Sequence, residues 1–191
     1  MPIVLTSGPL LEPLTVAEIK TFLRVDNDDE DILISSLITA GRIHIEQKIN
    51  RKLITQSWSW YLSRWPDKPE LTLPLSPVQS VDAIQTYDAE GMPTTWPAEN
   101  YQTDIYSDAA KIISKNTGWP NPENTVNGIE IQITAGYGNN PSDIPEPVRQ
   151  ALRLMVAHWF ENREPVILGE TPISVPENAM ALLSPFKQVH L

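Results

Sequence analysis

Apolar positions along this chain change their spacing twice, and the changes divide it into three zones. In the first, Thr15 and Glu18 stand in the T-x-x-E spacing of a capping box. Each side chain of such a pair satisfies an orphan amide at the helix start, so a short helix to about Leu23 is predicted. The acidic run RVDNDDED interrupts it. Asp26 or Asp28 is the expected N-cap of a second helix, from about Glu30 to Ile49, with acids where the helix dipole favours them. Leu33, Ile34, Leu37, Ile38, Gly41 and Ile45 make a wide apolar face, while Ile32, Ala40 and Ile43 lie outside it. Only Ser35, Thr39, Arg42 and Glu46 are left as a narrow polar strip. A helix this apolar is buried on two sides. The second side meets either its own core or a neighbouring subunit.

From Leu53 to Tyr137 the period falls to two. ITQSWSWYLSRW sets Trp58, Trp60 and Leu62 against Ser57, Ser59 and Tyr61, the alternation of a strand. ELTLPL, VQSVDAIQTYD, YQTDIY, AKIIS and GIEIQITAGYG continue the pattern, with a turn at Asp88-Ala89-Glu90-Gly91. Prolines at 66, 69, 74, 77, 93, 97, 120 and 122 predict strands that are short or lie at edges of a small antiparallel sheet. The helical period returns between Pro145 and Arg163, with a stripe of Val148, Ala151, Leu152, Met155, Val156 and Trp159. After Glu164 come prolines at 165, 172, 176 and 185 among Val166, Ile167, Leu168, Ile173 and Val175, with a short helical turn near Pro176 to Leu183. This stretch reads as an extended arm that docks on a partner or packs across its own domain.

The expected fold is therefore α+β. A mostly helical domain, with two N-terminal helices and a long C-terminal helix, carries a small antiparallel β-rich insertion and an extended C-terminal arm. One domain spans 1–164, helical over 12–50, β-rich over 53–138, with the long helix at 145–163; the arm spans 165–191.

Composition narrows the function more than it shapes the fold. The 191 residues carry a net charge of −10, and their 14 basic residues are scattered. Proteins that grip DNA cluster Lys and Arg against its phosphates, so tight nucleic-acid binding is not expected. Without cysteine there is no disulfide, thiolate nucleophile or Cys-based zinc site. No run approaches the ~18–20 apolar residues of a membrane span, and MPIVLTSGPLLEP has no basic n-region of a signal peptide.

Candidate chemistry is thin. Asp26, Asp28 and Glu30 alternate as in an EF-hand loop, but Asp31 and Leu37 stand where that loop needs Gly and a bidentate Glu. His158 and Glu161 share one helix flank, yet a metal site needs a further ligand, and no H-E-x-x-H pair exists. AGYGNN follows a strand and meets a proline turn, so its glycines relax a strand end rather than cradle phosphate. Trp58, Trp60 and Trp65 read as sheet and core packing, with a base- or sugar-stacking platform as the alternative. No catalytic, cofactor or metal residue is assigned.

The order of these pieces is what carries meaning. EPLTVAEIKTFLRVDNDDEDILISSLITAGRIHIEQKINRKLITQSW, then LPLSPVQSVDAIQTYDAEG, then ITAGYG and IPEPVRQALRLMVAHWFENRE resemble the opening, middle hairpin, closing strand and long helix of head–tail connector proteins of tailed double-stranded DNA phages. These are also called head-completion or adaptor proteins. The resemblance covers residues 12 to 164 and only loosely the tail. It implies a structural virion protein made in the bacterial host cytoplasm and built into the particle's neck. There it forms a ring below the portal, twelvefold in the particle, which joins the DNA-filled head to the tail and extends the DNA channel. Its implied partners are further copies of itself, the portal protein and the next neck or tail-completion protein, with DNA passing through unbound and no membrane or cofactor. Candidate subunit or portal contacts are Ile32, Ala40, Ile43, His158, Glu161, Val166, Ile167 and Leu168. The alternatives are another neck component, such as a stopper or tail-completion protein, and a small metal-dependent hydrolase using His158 and Glu161.

Overall fold

The capping box closes as its spacing predicts. The Glu18 N–H donates to Thr15 Oγ1 at 3.1 Å and the Thr15 N–H to Glu18 Oε2 at 2.8 Å, starting helix α1 (Val16–Leu23). The structure is a computed structural model describing residues 2–107, 109–115, 118–162 and 176–188. Its described residues divide into a β unit of 2–9 and 55–137, and a helical unit of 10–54, 138–162 and 176–188.

In the helical unit, α2 runs Asp31–Ile49, α3 Glu146–Glu161 and α4 Glu177–Leu183, and α3 packs against the other three helices. Ile34, Ile38, Gly41, Ile45 and Ile49 of α2 are buried, as are Val148, Ala151, Leu152, Met155 and Val156 of α3. Burial of each such aliphatic side chain contributes roughly 1.5–3 kcal/mol. A Cβ on Gly41 would lie 2.5 Å from Leu152 Cδ1, so the Leu152 side chain of α3 packs into the space the glycine leaves.

Three expectations for this unit are corrected. Helix α2 is capped neither by Asp26 nor by Asp28. Glu30 is the N-cap and makes no side-chain cap bond, while the Asp28 carboxylate is held by Lys20. Arg42 and Glu46 are not a solvated strip but are 7% and 5% exposed. The third correction concerns the end of the chain. The short helical turn expected near Pro176 to Leu183 is α4, which buries Ala179 and Leu183, so the long helix is followed by another. The Gln188 N–H donates to the Ile49 carbonyl at 2.9 Å and Arg51 Nε to the Phe186 carbonyl at 2.8 Å. Residues 176–188 thus pack on their own domain, one of the two readings of the arm, and are largely helical rather than extended. Val166, Ile167 and Leu168 lie outside the described residues.

The β unit holds eight strands among the described residues. A five-stranded antiparallel sheet has the order β1-β2-β8-β4-β5, with β1 Ile3–Ser7, β2 Gln56–Leu62, β8 Ile129–Ala135, β4 Val78–Tyr87 and β5 Pro93–Thr95. A three-stranded sheet has the order β3-β7-β6, with β3 Glu70–Thr72, β7 Lys111–Ser114 and β6 Tyr101–Asp104. The β part is larger than the small insertion expected, and it is not only an insertion, because β1 comes from the start of the chain. One face of β8 (Ile129, Ile131, Ile133, Ala135) joins Trp60, Leu62, Ile84, Leu73 and Ile112 in the core. The prolines act as expected at an edge, where Pro93 opens β5. Yet β4, free of proline, extends to ten residues. The turn into β5 is set by Asp88 Oδ1, which accepts the N–H groups of Glu90 at 3.1 Å and Met92 at 2.7 Å, with Gly91 at φ 82°.

Candidate assembly surfaces

The sequence-predicted contact residues fall into two groups. On α2, Ile32, Ser36, Ala40, Ile43 and Gln47 follow one another at helical spacings of three and four, and all five are exposed. Ile32 is 88% and Ile43 44% exposed, and no charged side chain interrupts the stripe over its ~22 Å length. The flank of the helix beside this stripe is held in place by polar contacts. There Glu12 accepts Arg42 Nε at 2.7 Å and Thr39 Oγ1 at 2.9 Å, while Glu46 accepts the Leu53 N–H at 3.1 Å and faces Arg42 Nη1 at 3.6 Å. Burial alone would lower the Arg42 pKa, but the Glu12 and Glu46 carboxylates outweigh it and hold the guanidinium above its usual value.

His158 and Glu161 do not make a comparable surface. His158 is half-buried on α3, its Nδ1 lies 3.4 Å from Asn162 Nδ2, and its Nε2 is enclosed without a hydrogen-bond partner among the described residues. Trp159 is half-buried, edge-on to His44 with ring centroids 6.0 Å apart. Glu161 is exposed and makes no bond to His158 among the described residues. Nor do three His, Asp, Glu or Cys side chains gather in a metal-binding arrangement among those residues. In the acidic run, Lys20 pairs with Asp28 and lies 2.9 Å from Asp31. That ammonium sits where a cation would have to.

Other charges serve the fold. Arg149 reaches Glu18 at 2.6 Å and Glu146 at 3.0 Å, which ties the α1 capping box to the start of α3. Glu18 and Glu146 both titrate below the usual carboxylate range. For Glu18, the Thr15 hydrogen bonds and the arginines overcome a burial effect of opposite sign; for Glu146, the Arg153 hydrogen bond leads.

In the β unit, the sheet face opposite the core carries Glu130, which is 6% exposed. It accepts Ser59 Oγ at 2.6 Å and Tyr87 Oη at 2.5 Å. Burial raises the Glu130 pKa, but these donors bring it below normal, and the same contact pushes Tyr87 up to about 12. A tyrosine raised in the folded state stabilises below its unfolded pKa of about 10 and loses that contribution as pH rises through about 12. Unfolding free energy is therefore expected to decline over that window, and Tyr87→Phe to flatten the decline. Equal slopes in the two proteins would refute the assignment. A carboxylate so occupied by hydroxyl donors anchors strands; it is not poised as a catalytic base.

Sequence reasoning missed the surface at the chain's start. Ile3, Val4 and Leu5 of β1 are 36%, 49% and 46% exposed. The available signal was the absence of any charged side chain before Glu12.

No curated protein sequence matches the chain. Among the solved structures that match are three at 26% identity, each covering 100% of this chain and 97% of the other. They are the neck of an empty gene transfer agent (GTA) particle computed with C6 symmetry and the virion of a native GTA particle, both at TM-score 0.85, and the neck of a native GTA particle computed with C12 symmetry at 0.81. The profile of the head completion protein family matches residues 12–189. Since that span is nearly the whole chain, the protein belongs to the head completion protein family.

Proposed function

We propose that the protein is a structural subunit of the neck of a phage-like particle, joining head to tail without catalysing a reaction. The observation that carries this is likeness over the full chain to neck components of particles resolved with cyclic symmetry. In this reading copies form a ring under the portal, extend the DNA channel and offer the far side to the next neck or tail-completion protein. The net charge of −10 suits a passage that must not hold DNA, since like charges repel. The uncharged α2 stripe supplies a contact to a neighbouring subunit or the portal, because an apolar surface can be desolvated there without stranding a charge. Residues 165–175, which include Val166, Ile167 and Leu168, are proposed as a further contact on sequence grounds.

The reading is tested by mixing the purified chain with its portal and imaging by negative stain. Annular particles are expected, and a chain that stays monomeric and unbound would sink it. The paired change Ile32→Glu and Ile43→Glu is expected to leave the monomer's fold and stability within about 0.5 kcal/mol, as for other exposed sites. It should lower the yield of rings, or of portal complex, by at least tenfold. Wild-type yields would remove the α2 stripe from the interface.

A further inference from the structure

We propose that the five-stranded sheet is continued between copies of this chain, with the β5 edge of one copy pairing against the β1 edge of the next. The proposal rests on the ring reading above. It adds which surfaces meet and in what register.

Two features of the sheet carry it. All its neighbours are antiparallel and it has five strands, so the two edge strands, β1 and β5, run in the same direction. A second copy placed head-to-tail therefore brings β1 alongside β5 in parallel. Cyclic symmetry above twofold demands that kind of contact, between two different patches, whereas a self-complementary contact closes at a dimer. The second feature is charge. In a chain of net charge −10, copies repel unless the contact is free of charge. No charged side chain occurs before Glu12 around β1, or between Gly91 and Ala98 around β5. Soluble proteins protect sheet edges with charged side chains, especially lysine, and here both edges lack them while every residue of β1 and β5 is exposed.

The backbone fixes the register. The Tyr61 N–H donates to the Pro2 carbonyl, so by the antiparallel alternation Pro2 and Val4 face β2, while Ile3 and Leu5 present their N–H and C=O outward. The Trp96 N–H donates to the Ile84 carbonyl and the Asp88 N–H to the Met92 carbonyl, which leaves Thr95 facing outward from β5. Parallel pairing then seats Thr95 opposite Val4 of the next copy. The Thr95 N–H donates to the Ile3 carbonyl, and the Leu5 N–H donates to the Thr95 carbonyl. The side chains agree with this register. Val4 lies in the row of Ser59 and Gln132, and Thr95 in the row of Gln85 and Glu130, so both stand on the same face of the joined sheet. At ~4.8 Å per strand, five strands span ~24 Å, and twelve copies would close a circle ~90 Å across at the level of the sheet.

The chain contains no cysteine, so crosslinking can be read cleanly. Rings of the double variant Val4→Cys, Thr95→Cys treated with a short bis-maleimide are expected to give a covalent ladder reaching the full ring, with no ladder from either single variant. Rings that do not crosslink, or dimers from Val4→Cys alone, would overturn the proposal. Leu5→Pro supplies the second test, because it deletes an outward N–H without touching the ladder to β2. The monomer is expected to keep its circular dichroism, with ring yield at least tenfold lower, whereas Leu5→Thr, which keeps the N–H, retains rings. Leu5→Pro rings at wild-type yield, or wild-type rings that lose only a later neck protein, would overturn sheet joining and leave the ring reading intact. Failure of the wild-type chain to form rings even with portal would overturn both.

Discussion

Arg42→Ala is expected to destabilise the helical unit by about 3–5 kcal/mol in urea unfolding followed by helical circular dichroism. The Arg42 side chain is 9% exposed and that of Glu46 5%. Removing the guanidinium takes a cationic partner from the buried Glu46 carboxylate, whose other partners include Lys52 Nζ at 3.8 Å and the Leu53 N–H at 3.1 Å. It also releases Glu12, which otherwise holds the chain entering α1 against α2 through Arg42 and Thr39. Arg42→Met, which restores the aliphatic stem, should recover only the packing part, because the buried carboxylate remains. The double change Arg42→Met, Glu46→Gln should cost clearly less than the sum of the two single changes, since the second removes the charge that the first exposes. A loss below about 1 kcal/mol for Arg42→Ala would mean that water reaches Glu46 and that the pair is ordinary surface charge.

The second large effect is expected in the β unit, where Trp96→Ala should cost about 3–5 kcal/mol. Trp96 is 7% exposed, with ring centroids 5.2 Å from Tyr101, 5.7 Å from Trp119 and 6.2 Å from Trp65. Its neighbours cannot easily close the gap. Trp65 and Trp119 are stacked at 4.5 Å, and their indole N–H groups are tied to the Pro120 carbonyl at 2.6 Å and the Lys68 carbonyl at 2.9 Å. Moving either ring to fill the cavity would break its hydrogen bond to the backbone. Five of the six tryptophans lie in this unit, so intrinsic fluorescence reports its unfolding, while Trp159 lies in the helical unit. Trp96→Phe should lose a smaller share. A Trp96→Ala transition at the wild-type urea concentration would show that the cluster is an ornament of the surface rather than part of the core.

These two sites mark how far the residues could be read in advance. Trp58, Trp60 and Trp65 stand on or beside one alternating stretch, and their period identified a packed strand. Trp96 and Trp119 gave no such signal, because the cluster brings together residues far apart in sequence. The burial of Arg42 and Glu46 was hidden for a similar reason. The sequence placed them in the narrow polar strip of α2, and partners outside the helix, among them Glu12, thirty positions earlier in the chain than Arg42, make them a buried network. The α2 stripe of Ile32, Ala40 and Ile43 was legible because an apolar residue off the core face is conspicuous within one helix. His158 and Glu161 were not separable by spacing, although the structure leaves Glu161 in solvent and encloses His158.

Determined by the sequence itself were the features whose physics is local. They are the Thr15–Glu18 box, the helical period of α1, α2 and α3, the alternation of β2 and β8, the Asp88–Gly91 turn, and a charge balance unsuited to gripping DNA. Each depends on neighbours within about one turn or one strand, so the residue order contains it. The tertiary structure alone decided that β1 joins the sheet as its edge and that residues 176–188 dock beside Ile49 and Arg51. It also decided that two charges of α2 are buried and that the sheet has an odd number of strands, with its charge-free edges running the same way. Those outcomes depend on contacts between residues distant in the chain. Their energy lies in desolvation and packing between partners that no local pattern names.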